Sequence, residues 1–130
     1  MTFILPPTPK IHFAYMHSFY QGGTVTTGIN RFPKGIPKHL CNQFLVMLSA
    51  YNPGGRLKPE GWNKRQMGVL ADYLVRYEYY EGKGSLNNKS EPLFLVAINP
   101  AKAIYLARKF RQNAIVIIRN GRLTKLKYIV

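Results

Sequence analysis

Acidic residues are scarce in this sequence. Only 5 Asp and Glu stand against 19 Lys and Arg in 130 residues, for a net charge of +14. All five acids, Glu60, Asp72, Glu78, Glu81 and Glu91, fall in one central stretch, and none sits at a strand spacing that pairs carboxylates for acid–base work. A single cysteine, Cys41, excludes an internal disulfide; ahead of an apolar run it reads as a small hydrophobe rather than a nucleophile. His12, His17 and His39 have no Cys, His or carboxylate at ligand spacing, so neither a metal nor a cofactor is expected. "FLVMLSAY" and "LFLVAI", the longest apolar runs, are too short to span a bilayer. The opening "MTFILPPTPK" lacks the basic start, apolar stretch and cleavage site of a signal peptide. A phosphate-binding loop ending Gly-Lys-Ser/Thr, a nucleophile elbow and kinase signatures are all missing. A cytoplasmic protein, outside the membrane and with no recognisable catalytic set, is the expectation.

Basic charge and a folded core are present. Hydrophobic residues make up 46% of the chain, enough for a globule, and the length suits a single domain over residues 1–130. No acid follows Glu91, so Lys102, Arg108, Lys109, Arg111, Arg119, Arg122, Lys125 and Lys127 have no acidic neighbour in sequence. Such a stretch attracts polyanions, and nucleic acid, RNA or DNA, is the commonest in a cell. An acidic protein partner satisfies the same charge. The bland alternatives are a solvated outer face for the hairpin lysines and, for "RKFR", cations offsetting a helix dipole. No basic helix with a broad apolar face points to a membrane surface.

Along the chain, "IHFAYMHSFY" reads as an aromatic-rich strand, placing His12 and His17 on opposite faces. Gly22-Gly23 turns it into "TVTTGINRF" as partner strand, and "PKGIPKHL" is a proline-broken loop. "QFLVMLSAY" is a strand buried on both faces. Trp62, Gln66, Val69, Leu70, Tyr73, Leu74 and Tyr77 recur at helical spacing, with Pro59 and Glu60 suited to the first turn. "YYEGKGSLNNKS" reads as a glycine-rich loop and "PLFLVAI" as a strand. Asn99 then caps a helix with Pro100 at its first position, Ala103, Ile104, Ala107 and Phe110 forming the apolar stripe. "AIVIIRNGRLTKLKYIV" is a hairpin about Asn120-Gly121, a type I′ pair. The order is ββ-β-α-β-α-ββ: an α+β domain, two helices on one face of a mainly antiparallel sheet. The other Asn-Pro, Asn52-Pro53, stands too far ahead of its helix to cap it, and "GGRLK" reads as a loop with free backbone amides.

In "LSAYNP", "NKRQMGVLADYL" and "EPLFLVAINPAKAIYLARKFRQNAIVI", over about residues 44–118, the chain resembles the small bacterial proteins of the domain of unknown function 3293 family. That family's pattern is a strand ending Thr-Ala-Tyr-Asn-Pro, Asn and Arg opening a helix, a Glu-Pro-Ser-like strand entry, and a helix leaving through Phe-Gly-Gln-Asn-Ala. The resemblance implies the fold and a polar set, Asn52, Asn63, Arg65, Glu91, Gln112 and Asn113, and no activity. Arg111 stands where the family has glycine, so a left-handed helix exit is either lost there or moved to Asn113. If the strands that Asn52, Glu91 and Gln112 flank are neighbours, their ends converge at one sheet edge as a ligand-binding or catalytic cluster. The competing reading is that Asn52, Gln112 and Asn113 only satisfy loop backbone groups.

Overall fold

The computed structural model describes residues 8–129; Met1–Pro7, most of the stretch read above for a leader, and Val130 lie outside it. Thr8 opens the first helix, α1 (Pro9–His17), its Oγ1 accepting from Ile11 N at 3.1 Å with Pro9 in the first turn. This corrects the strand reading of "IHFAYMHSFY": the cap and proline outweigh the β propensity of the aromatics, and only Phe19 and Tyr20 are strand. His12 and His17 therefore sit on a helix, His12 Nδ1 against the Tyr128 hydroxyl at 2.6 Å and His17 stacked on Phe13.

Strands β1 (Phe19–Gly22) and β2 (Val25–Thr27) form the hairpin expected around Gly23. Next come β3 (Leu45–Leu48), α2 (Glu60–Tyr73), β4 (Tyr79–Leu86), β5 (Lys89–Ala97), α3 (Pro100–Lys109), β6 (Ala114–Ile118) and β7 (Lys125–Tyr128). β4 replaces the expected glycine-rich loop. Its glycines serve close strand approach: a Cβ on Gly82 would stand 1.9 Å from Gln21 O, where β1 crosses it. The β6–β7 hairpin has a longer loop than a type I′ turn, with Ile117 opposite Lys125. Arg122 N bonds Arg119 O at 3.1 Å, and Gly121 alone of the Asn-Gly pair has positive φ, as a type II turn requires.

The class is α+β, one antiparallel seven-stranded sheet in the order β2-β1-β4-β5-β3-β6-β7. α1 and β4 are additions to the sequence-derived order, while α2 and α3 share one face as expected. Val46, Leu48, Phe94, Val96 and Ile115 meet Leu70, Leu74, Ala103, Leu106, Ala107 and Phe110 on that face. Leu45, Met47, Leu93, Leu95, Val116 and Ile118 form a second core with Tyr20, Val25 and Ile29 on the other face, so β3 is buried on both.

The sheet curls far enough for its ends to meet. Asn30 N donates to Thr124 O at 2.9 Å, Thr124 N to Arg31 O at 2.8 Å, and the buried hydroxyls of Thr27 and Thr124 lie 2.5 Å apart. α1 lies across one mouth of this curl, its Tyr15 edge-on to Tyr128 of β7.

Candidate functional site

Three strand ends meet at the mouth under α1. β5 and β6 flank β3 antiparallel to it, so the end of β3 lies beside the beginnings of the other two. Asn52 follows the first, Glu91 opens the second, and Gln112 and Asn113 lead into the third.

Asn52 adopts a left-handed conformation at φ 43°, held by a reciprocal pair with Asn63. Asn52 N donates to Asn63 Oδ1 at 3.0 Å, and Asn63 Nδ2 returns a bond to Asn52 Oδ1 at 2.8 Å. Asn63, on α2, is 1% exposed and also donates to Lys58 O at 3.2 Å. The Asn52 amide nitrogen is thereby aimed at Glu91 Oε1, 3.0 Å away. The loop amides expected to be free are engaged instead. Gly54 N bonds Arg111 O at 2.7 Å, Gly55 N bonds Asn52 O, Arg56 N bonds Pro53 O, and Lys58 N bonds Asn52 Oδ1. A turn that satisfies its own donors cannot cradle a phosphate with them.

The α3 exit stays at Arg111, which takes φ 54°. Arg111 N bonds Arg108 O and Gln112 N bonds Ala107 O, the two bonds of a Schellman ending, so the exit does not move to Asn113. Asn52, Gly54, Gly55 and Arg111, all at positive φ, thus press together at one corner of the mouth. Non-glycine residues held this way cost of order 1–3 kcal/mol each, and such strain clusters at functional sites.

Beneath this corner lies a cavity of about 350 Å³, walled by Ile11, Tyr15, Tyr20, Leu86, Pro92 and Leu93 among others. Ser49, Glu91, Gln112 and Asn113 supply its polar lining. Asn113 is 7% exposed, and its side-chain oxygen has no hydrogen-bond partner among the described residues. Burial pushes the Tyr15 hydroxyl up to about 12, and a hydrogen bond with Asn113 works against that rise. Arg65 is exposed on α2 and does not line the cavity. Tyr15 and Ser49 were invisible as site residues in sequence, Tyr15 because its segment reads as a strand. The shared Thr8-Pro9 and Asn99-Pro100 cap pattern is the signal that could have found the helix.

The C-terminal cations lie elsewhere. Lys102, Arg108 and Lys109 are exposed on α3, Arg111 at its exit, and Arg122 in the last turn. Lys125 and Lys127 are exposed on β7, flanking Leu126, which packs into the inner core, so they face the same side as α3. Arg119 is half-buried, stacked over Phe44 at 4.5 Å and reaching Asn42 O. Between α2 and α3 runs a shallow groove of about 420 Å³ lined by Tyr73, Tyr77, Tyr105, Lys102 and others. Tyr73 is 45% and Tyr105 67% exposed, and Lys109 Nζ sits 5.1 Å above the Tyr73 ring. Among the described residues no helix is long and apolar enough to cross a membrane, and no three His, Cys, Asp or Glu group as a metal would require.

These features define a curled antiparallel α+β protein with a polar-lined mouth on one side and a cationic, tyrosine-bearing helix face on another. The chain belongs to the family described as "Protein of unknown function (DUF3293)", whose model matches residues 48–115, more than half of its length. The match takes in the whole polar set from Asn52 to Asn113 and the α3 cations; Arg119, Arg122, Lys125 and Lys127 lie beyond it. No curated protein and no solved structure matches the chain.

Proposed function

We propose that the protein binds nucleic acid across the face built from α3 and β7. The carrying observation is the exposure of Lys102, Arg108 and Lys109 on α3 and of Lys125 and Lys127 on β7, on the same side of the sheet, with Arg111 and Arg122 at the ends. Phosphates meet these cations, so binding is sequence-tolerant and weakens with salt. Exposed Tyr73 and Tyr105 beside Lys102 and Lys109 favour a single strand, whose unpaired bases stack on such rings.

The test is fluorescence anisotropy with short single-stranded RNA, single-stranded DNA and duplex DNA, beside Tyr105→Ala and Lys125→Gln/Lys127→Gln variants. Single strands should bind tightest, and Tyr105→Ala should weaken them by about 1–3 kcal/mol. Binding no stronger than that of an unrelated protein of equal charge refutes the reading. Capture of a partner that nuclease treatment leaves bound makes it an acidic protein instead.

A second reading has its own observation: the mouth cavity of about 350 Å³, apolar-walled with Ser49, Glu91, Gln112 and Asn113 in its lining. Concave, largely apolar sites with a few convergent polar groups are where small ligands usually bind. The Glu91, Gln112 and Asn113 lining supports recognition; Asn52 acts through Glu91, and Arg65 takes no part.

A further inference from the structure

Resting on that second reading, we infer that α1 is a lid over the mouth cavity, turning about Ser18 to admit a ligand. Ile11, Ala14 and Tyr15 of this helix form one wall of the cavity, while Tyr20, Leu93 and Val116, all of them buried, line it from the sheet. Lifting α1 removes its wall and leaves every strand pairing of the sheet in place.

α1 is held lightly enough to move. None of its own residues is buried, whereas α2 buries Asn63 and Leu70, and α3 buries Ala103, Leu106 and Ala107. Met16 packs half-buried against the inner core, and Phe13 is 58% exposed, stacked on His17 of the same helix. Segments with few buried apolar contacts open at a fraction of the global unfolding free energy. At nine residues α1 is also too short to keep its helix in water unaided, so its order comes from docking.

Hinge and clasp both have named residues. Ser18 is the one residue between the helix and β1, whose Phe19 is already paired with Ser85 of β4, so the swing is confined to that joint. Tyr128 of β7 is the clasp: its hydroxyl meets His12 Nδ1 at 2.6 Å, and its ring meets that of Tyr15 at a near-right angle. Nearer the joint, the Tyr20 hydroxyl donates to Tyr15 O at 2.8 Å. The His12–Tyr128 bond is exposed to water, which competes for both partners, so the clasp breaks and remakes readily. Lids that gate binding sites commonly turn on a few such element-terminal residues.

Thiol labelling of the full chain in a Cys41→Ser background tests the lid. Val116→Cys puts a thiol on the cavity wall at a position 5% exposed; Val46→Cys puts one in the core on the other face of the sheet, away from the cavity, at 0%. Urea midpoints of the variants confirm that they fold. Labelling by an aromatic disulfide reagent is followed at rising sub-denaturing urea. The Val116→Cys thiol should react at a rate nearly independent of urea, because lifting α1 exposes little surface. The Val46→Cys thiol should react only at the steeply urea-dependent rate of global unfolding. Tyr128→Phe, which unties His12 and keeps the ring, should speed the Val116→Cys reaction roughly three- to tenfold. A steep urea dependence shared by both thiols overturns the lid, and so does a Val116→Cys rate equal to that of an exposed thiol and unchanged by Tyr128→Phe. Calorimetric titration with indole and with anilinonaphthalene sulfonate tests the cavity reading separately, beside Ala14→Trp, which fills the space from α1. A probe that binds the parent and not Ala14→Trp, without gated labelling, leaves a ligand site that has no lid. Gated labelling with neither probe bound leaves a hinged helix over no ligand site, and the inference falls with the reading.

Discussion

Changing Asn63 to Asp alters two atoms' worth of chemistry and almost no volume, so it isolates what the Asn52–Asn63 pair does. Asn63 is 1% exposed; its oxygen accepts from Asn52 N at 3.0 Å, and its nitrogen donates to Asn52 Oδ1 at 2.8 Å and Lys58 O at 3.2 Å. In Asn63→Asp the accepting oxygen survives. The donor is replaced by a second oxygen facing two acceptors. Two lost hydrogen bonds cost about 2 kcal/mol, and a buried carboxylate without a cation adds a similar amount, so ~3–5 kcal/mol is expected at neutral pH. Asn52 cannot rescue the contact by turning its amide, because that turns its nitrogen away from Glu91 and its oxygen away from Lys58 N. Burial raises the introduced carboxyl above its unfolded value of about 3.9, so the deficit is smallest below that pH and grows as pH rises through the folded value. Urea unfolding at pH 7 and pH 4.5, read as midpoint at constant slope, measures both. A variant within about 0.5 kcal/mol of the parent at both pH values refutes the reasoning.

Three further outcomes follow from named contacts. Arg111→Gly should raise stability by up to about 1 kcal/mol, since an L-residue at φ 54° costs roughly 1–2 kcal/mol and glycine's extra chain entropy returns part of it; a lower urea midpoint contradicts this. Thr124→Val should cost about 1–2 kcal/mol by leaving the buried Thr27 hydroxyl with only its 3.3 Å bond to Gly28 O, and Thr27→Val/Thr124→Val should recover part of the loss. Tyr15 is raised to about 12 and Tyr20 is also raised, both chiefly by burial, so their contribution is complete below about pH 10 and is lost as pH rises through the folded values. For Tyr15 that loss is at most about 3 kcal/mol, and Tyr15→Phe should flatten the alkaline limb of a stability–pH curve.

The legible parts of the fold were those with local, one-signal chemistry. Asn99-Pro100 announced α3, the continuous apolar run announced β3, and the spacing from Trp62 to Leu74 announced α2. α1 was lost because Phe13, Tyr15, Phe19 and Tyr20 outvoted a cap pattern identical in kind to the one at Asn99. β4 was lost because Gly82 and Gly84 look like loop residues until β1 is known to cross them. The polar set was legible only through family resemblance, since Asn52, Glu91 and Asn113 are far apart in sequence. Their meeting depends on β3 lying between β5 and β6, a long-range pairing that no local pattern encodes. The Asn52 loop misled for a related reason: its amides look free in sequence and are taken up by Asn52 itself and by Arg111.

The measurement that bears most directly on the proposed function is the salt dependence of single-strand binding, parent beside Lys125→Gln/Lys127→Gln. With about five phosphates neutralised, log K should fall with log salt at a slope near −3.5, and removing two cations should reduce that slope by about 1.4. A slope near zero, or one the variant leaves unchanged, would contradict binding by the α3–β7 face.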